Sequence, residues 1–278
     1  MTEPTTAAKL EALNRLVRSY GSLLVCYSGG IDSAVVLAVA TRELGARAVG
    51  LTAVSPSLAP AEKEDAARIA ALLRADHRFV ESNEIERPEY AANGPDRCFH
   101  CKSELYEIAV LKAREWGLQA IANGTNTDDL GDYRPGLEAA RQAGVKSPFV
   151  DAGMNKSDVR AVARLLGLPI WDKPAAACLS SRIPYGTSVT RERLAQIGGL
   201  EAELKTFGFR QVRVRWHDKI ARIEVSLDEL PAVLETREKI VEAGRRHGFA
   251  YVTLDLAGYR TGSHNEVLVG RGLKLIAG

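Results

Sequence analysis

The chain has 278 residues, enough for a large core and two domains. Its 37 basic and 35 acidic residues leave a net charge of +2, without the basic excess of a dedicated nucleic-acid binder. No apolar stretch approaches the ~20 residues of a bilayer-spanning helix, the polar start has no signal-peptide core, and four cysteines make no disulfide scaffold, so a cytoplasmic protein with reduced thiols is expected.

From about residue 7 to 172, helical and strand-like patterns alternate, which predicts an α/β fold with a parallel sheet and helices on both faces. Strands are expected at Leu23 to Tyr27, Ala48 to Val54, His77 to Val80, Ala120 to Ala122 and Pro148 to Val150. Helices are expected over Ala61 to Leu73, with Ala66, Ile69, Ala70 and Leu73 at helical spacing, and over Ser103 to Trp116. Lys173 to Thr187, with Pro174, Pro184 and Gly186, breaks the periodicity and predicts a boundary, giving domains 1–175 and 176–278. Beyond it, Arg191 to Phe207 reads as a helix and Gln211 to Trp216 and Ile220 to Val225 as strands around a His217-Asp218-Lys219 turn. Leu227 to His247 reads as helix and Tyr251 to Leu256 as strand, a small C-terminal α+β unit.

The chemistry concentrates in loops. Ser28-Gly29-Gly30-Ile31-Asp32-Ser33 follows the first apolar strand and opens a helical run. Two glycines allow a tight turn with positive φ, and free amides at a helix N-terminus attract a phosphate, so pyrophosphate is expected there. The segment lacks the lysine of the GxxxxGK[ST] loop and the spacing of the dinucleotide GxGxxG fingerprint. A capped strand-to-helix turn with no ligand is the plainer alternative. Gly124-Thr125-Asn126 follows another strand, and ligands of open parallel sheets bind beyond the strands' carboxyl ends, so both loops are expected to share one nucleotide. Asp128, Asp129 and Asp132 come next and suit magnesium held beside a triphosphate, with a solvated loop as the alternative; Arg134 adds a cation.

Cys98-Phe99-His100-Cys101 is a single CxxC at a predicted helix start, open to half a zinc site, a redox pair or coincidence. With Cys178 it supplies three thiolates, enough for a 4Fe-4S cluster with one iron open to an external ligand. Cys26 lies in an apolar strand and reads as a small core residue. Arg213 and Arg215, two apart on a predicted strand, share a face suited to a phosphate or carboxylate, or to solvent.

The SGGIDS loop resembles the signature of the PP-loop ATP pyrophosphatases, which split ATP into AMP and pyrophosphate to adenylate a substrate. Together with Gly124 to Gly136 and Ala177-Cys178-Leu179-Ser180-Ser181-Arg182-Ile183-Pro184-Tyr185-Gly186, it resembles the LarE family of ATP-dependent sulfur transferases of nickel-pincer nucleotide biosynthesis. The likeness spans almost the whole chain. It implies a PP-loop ATPase domain at 1–175 and a C-terminal domain at 176–278 for substrate, sulfur transfer and oligomerisation. ATP would adenylate a carboxylate of pyridinium-3,5-biscarboxylic acid mononucleotide, and sulfur would then displace AMP to leave a thiocarboxylate. The resemblance assigns ATP to Ser28, Gly29, Gly30, Asp32, Ser33, Gly124, Thr125 and Asn126, with Mg2+ near Asp32 and Asp128. It assigns the substrate to Arg182, Glu201, Arg213 and Arg215. Cys178 would give up its own sulfur in sacrificial members, leaving dehydroalanine; members with Cys98, Cys101 and Cys178 resemble cluster enzymes that transfer an extra sulfide, the reading preferred here. A symmetric homo-oligomer such as a hexamer is implied, and no nucleic acid or membrane partner. A tRNA thiolation enzyme is the main rival and predicts a basic RNA-binding domain; an ammonia-using ligase needs no cysteine trio; a non-catalytic nucleotide-binding module would release no pyrophosphate.

Overall fold

The computed structural model describes residues 5–131, 135–173 and 177–260. In chain order the larger elements are α1 (Thr6–Ser19), β1 (Leu23–Cys26), α2 (Ile31–Leu44), β2 (Ala48–Val54), α3 (Pro60–Leu72), β3 (Asp76–Glu81), α4 (Pro88–Ala91), α5 (Arg97–Glu115) and β4 (Ala120–Ala122). There follow α6 (Pro135–Gln142), α7 (Pro148–Asp151), α8 (Lys156–Leu165), α9 (Arg191–Thr206), β5 (Val212–His217), β6 (Ile220–Val225), α10 (Leu230–Glu235), α11 (Arg237–Arg246) and β7 (Tyr251–Leu254). By contacts the chain forms two units: one from residues up to 55, 61–84 and 96–176, the other from 56–60, 85–95 and 177 onward.

In the first unit, four parallel strands lie in the order β3-β2-β1-β4. Side chains alternate across a strand, and β1 feeds both faces. Leu23 and Val25 join a core with residues of α1, α2 and α8, whereas Leu24 and Cys26 join one with residues of α5 and α6. Burial on both sides explains why β1 reads as an unbroken apolar run. Cys26 is a core residue whose thiol burial pushes up to about 12. The strand expected at Pro148 to Val150 is instead α7: Pro148 has no N–H for a ladder and its fixed φ suits a helix's first turn. Among the described residues the sheet edge gains an isolated bridge between Ala122 and Lys146.

In the second unit, β5 and β6 pair antiparallel and β6 and β7 parallel, with α9 packed against β5. The hairpin turns through Asp218 at φ +55°. The long helix expected from Leu227 to His247 is broken at Thr236, whose hydroxyl donates to the Ala232 carbonyl and whose backbone has left helical geometry.

Candidate functional site

Three places hold the candidate residues: the glycine loops and the α5 cysteines in the first unit, and the turn after Cys178 with its arginines in the second. In the first, the chain leaves β1 at Tyr27 and turns at Gly29, which has φ +76° and lies so close to α3 that a Cβ would stand 2.9 Å from the Ala66 Cα. Gly30 has an ordinary extended φ of −79°, so the turn needs one glycine for its backbone rather than two. The Ser28 amide donates to Ser33 Oγ at 3.1 Å, and Ser33 Oγ donates to the Gly30 carbonyl at 3.1 Å, closing the loop on itself. The N–H groups of Ile31, Asp32 and Ser33 then open α2 without intrahelical acceptors, the arrangement that binds anions.

The second loop sits directly on this one. A Cβ at Gly124 would lie 2.7 Å from the Ser33 nitrogen and 2.9 Å from the Asp32 Cβ, so only glycine permits the crossing. Asn126 Nδ2 reaches Asp32 Oδ1 at 3.4 Å, and the Asp128 and Asp129 side chains shape the turn by accepting from Lys156 N at 3.1 Å and Asn126 N at 3.0 Å. Thr125 follows with its amide on Asn123 Oδ1 at 3.1 Å. The structure thus brings Ser28, Gly29, Gly30, Asp32, Ser33, Gly124, Thr125, Asn126 and Asp128 into one neighbourhood. Asp132 and Arg134 lie outside the described residues.

Sequence reasoning missed Lys156. It is the first residue of α8, and its ammonium pairs with Asp32 Oδ2 at 2.5 Å. The local signal was a capping box: Asn155 and Asp158 cap each other's amides and fix where the helix begins. The mouth of the site therefore holds a half-exposed cation beside the helix N-terminus, where a polyphosphate would find both. Asp128 is exposed and its Oδ1 has no protein partner among the described residues. That fits magnesium, which keeps most of its waters and takes one or two carboxylates plus phosphates.

On α5, Cys98 is exposed and Cys101 half-buried, neither in a disulfide, three residues apart on one helix face. His100 turns to Asp96 at 3.2 Å. Among the described residues no group of three or more Cys, His, Asp or Glu side chains is arranged around a metal position. Cys98, Cys101 and Cys178, none in a disulfide, are of the thiolate type that ligates iron-sulfur clusters, one short of the usual four.

In the second unit Cys178 is exposed and precedes a short 3-10 helix, Leu179–Arg182. Arg182 is buried and organises this turn: it donates to the carbonyls of Ala177 at 2.7 Å and Cys178 at 2.9 Å, while Glu201 grips it bidentately at 2.9 and 3.2 Å. Glu201 also accepts from the Val214 amide at 2.9 Å, tying α9 to the edge strand β5. Arg215 is held bidentately by Glu224 at 2.9 and 2.8 Å and donates to the Ser181 carbonyl at 2.9 Å. Breaking a buried pair of this kind costs about 3–5 kcal/mol, because the remaining charge is stranded. Arg213 differs. It donates to the Val212 carbonyl at 2.9 Å and faces the Tyr259 ring, and its other N–H groups have no protein acceptor among the described residues. Burial first, and then the Arg182 charge, lower its pKa below the usual arginine value. Of the three arginines it is the one with no carboxylate hydrogen-bonded to it among the described residues. Glu224 and Tyr259 escaped sequence reading, although the cross-strand register pairs Arg213 with Glu224.

The Asparagine synthase family matches residues 9–92. An uncharacterized protein of Synechocystis sp. is 44% identical over 263 residues, 94% of this chain and 98% of its own length. An uncharacterized protein of Methanocaldococcus jannaschii is 28% identical over 239 residues, 86% of this chain and 91% of its own. The pyridinium-3,5-bisthiocarboxylic acid mononucleotide synthase of Lactiplantibacillus plantarum is 35% identical over 274 residues, 98% of this chain and 99% of its own length. With 35% identity over nearly the full length and a glycine loop that opens a helix beside a four-stranded parallel sheet, the chain belongs to the LarE family of ATP-dependent sulfur transferases, within the PP-loop ATP pyrophosphatases.

Proposed function

We propose that the chain converts the carboxylates of pyridinium-3,5-biscarboxylic acid mononucleotide to thiocarboxylates for the nickel-pincer nucleotide cofactor. The near full-length identity to the bisthiocarboxylic acid mononucleotide synthase carries this reading. A carboxylate becomes a useful electrophile only with a good leaving group. In the first step its oxygen attacks the α-phosphorus of ATP, the bond to the β-phosphate oxygen breaks, and pyrophosphate departs. The amides of residues 31 to 33 and Lys156 face the developing negative charge, the kind of electrostatic positioning that dominates such transfers. Asp128 would hold magnesium there, and the ion would neutralise phosphate charge. In the second step a sulfur nucleophile attacks the acyl carbon and AMP leaves with its bonding electrons. Arg213 supplies an anchor for the mononucleotide's phosphate or second carboxylate.

Cys178 is the sulfur-handling position. Cys98, Cys101 and Cys178 would together hold a 4Fe-4S cluster, which when bound would offer one iron without a protein ligand to carry the transferred sulfide. A homo-oligomer without nucleic-acid or membrane partners completes the proposal; no helix among the described residues is long and apolar enough to cross a membrane.

The test is anaerobic reconstitution with iron and sulfide, then turnover with ATP and the biscarboxylic mononucleotide. About four irons per chain and several thiocarboxylates per chain, both lost in Cys98→Ala and Cys178→Ala, are expected. No iron, at most one sulfur per chain and a Cys178 lighter by one hydrogen sulfide would instead identify Cys178 as a single-use donor. In that case its thiolate forms a thioester with the adenylated carboxylate and β-elimination leaves dehydroalanine. Absence of pyrophosphate release would overturn the proposal itself.

A further inference from the structure

The turn behind Cys178 is gripped by a residue far from it in sequence. Asn93 is completely buried and adopts φ +57°, a left-handed conformation that few residues other than glycine and asparagine take readily. From that backbone its Nδ2 lies 3.2, 2.9 and 2.9 Å from the carbonyls of Ile183, Pro184 and Thr187, its two N–H groups serving all three with one of them shared, and its own backbone carbonyl accepts from the Gly186 amide at 3.1 Å. Two neighbours on the same segment add to the hold. The Tyr90 hydroxyl bonds Ser180 Oγ at 2.6 Å, and the Ala91 carbonyl accepts from the Val189 amide at 2.8 Å. The Leu179 amide is fixed in turn by the Ser57 carbonyl at 2.9 Å.

These bonds fasten residues 179 to 189. Arg182 lies within that stretch and donates to the carbonyls of Ala177 and Cys178. We propose that Asn93 is a positioning residue for Cys178: its amide sets the 183–187 turn, that turn seats Arg182, and Arg182 orients the backbone that carries the thiol. A buried, mutually satisfied polar network of this kind has one low-energy arrangement, whereas an apolar filler would take the side-chain donor from the carbonyls of Ile183 and Thr187 and leave Pro184 only the Thr187 amide, at 3.0 Å. The functional weight given to Cys178 rests on the proposed sulfur transfer; the mechanical link from Asn93 does not.

Two variants of the full chain test it. Asn93→Gly keeps the left-handed backbone at no steric cost and removes the donors; Tyr90→Phe removes only the hydroxyl that meets Ser180. Alkylation of Cys178 by iodoacetamide is followed by peptide mass spectrometry with Cys98 as internal reference, beside kcat and the KM for ATP in thiocarboxylate formation. In Asn93→Gly the Cys178-to-Cys98 rate ratio should shift at least about threefold and kcat fall about tenfold, with the KM for ATP unchanged, since misplacing a reacting atom weakens the chemical step rather than nucleotide binding. Tyr90→Phe should shift the same ratio in the same direction, and it decides the matter if Asn93→Gly does not fold. Folded variants with the parent's ratio and kcat would overturn the proposal. If the parent chain makes no thiocarboxylate, sulfur transfer fails, and the alkylation ratio still decides the role of Asn93.

Discussion

A methyl group at position 29 would stand 2.9 Å from the Ala66 Cα and 3.0 Å from its Cβ, on a backbone already at φ +76°. Neither obstacle can relax cheaply, because one is main chain and the other is L-residue stereochemistry. Gly29→Ala should therefore lose at least about 2 kcal/mol in urea denaturation and abolish ATP–pyrophosphate exchange. Gly30→Ala should be close to neutral in the same denaturation, because its φ is ordinary and the nearest atom, Ser28 Oγ, is 3.4 Å away. Equal losses in both would refute this reading of the turn. Lys156 makes a different prediction. Its pair with Asp32 is partly exposed, so Lys156→Met should change stability by less than about 1 kcal/mol. Losing a cation beside the phosphate-facing amides should raise the KM for ATP about tenfold. An unchanged KM would remove Lys156 from the site.

Between strands, Thr52 links β1 to β3. Its hydroxyl gives its only proton to the Tyr27 carbonyl at 2.6 Å, so His77 Nε2, 2.8 Å away, must be the donor in that contact. The Tyr27 ring stands edge-on to His77, and its hydroxyl donates to the Ala66 carbonyl on α3 at 3.1 Å. One small network therefore steadies both the end of β1 and the helix against which Gly29 packs. Burial, opposed weakly by Asp76, lowers the His77 pKa. The unfolded chain takes up a proton near pH 6.5 while the folded one resists, so stability is lost as the pH falls below that value. His217, lowered by burial and then by Arg222 and Arg215, acts with the same sign. The urea midpoint should drop between about pH 7.5 and pH 5.5, and His77→Gln should flatten part of that drop. A slope identical in parent and variant would exclude His77 as a contributor.

Over the whole molecule, residues 56–60 and 85–95 belong with the C-terminal unit although they are embedded in the sequence of the other. No single cut separates the two. A fragment ending at residue 175 would keep Ser57, Tyr90, Ala91 and Asn93 and lose their partners at Leu179, Ser180, Ile183, Pro184, Gly186, Thr187 and Val189. Buried polar groups without partners each cost about 1–3 kcal/mol, so that fragment should be insoluble or melt well below the full chain in circular dichroism. A fragment as stable as the parent would show that the interleaved segments contribute little.

The strands β1 and β2 were legible because a doubly covered parallel strand leaves a short continuous apolar run, and the turn after β1 because glycines between such a run and a helix mark a tight strand-to-helix connection. Local chemistry also misled where two readings competed: Pro148-Phe149-Val150 is apolar enough for a strand, yet the missing proline N–H makes it a helix start. Partners distant in sequence were decided only by tertiary structure. Lys156 meets Asp32 across 124 residues, Gly124 crosses Ser33, and Asn93 holds a turn some 90 residues further on. Periodicity and turn chemistry report each residue's own backbone preference, fixed by its side chain and nearest neighbours. Which groups meet at a site depends on strand order and helix packing, set by burial of the whole core at once.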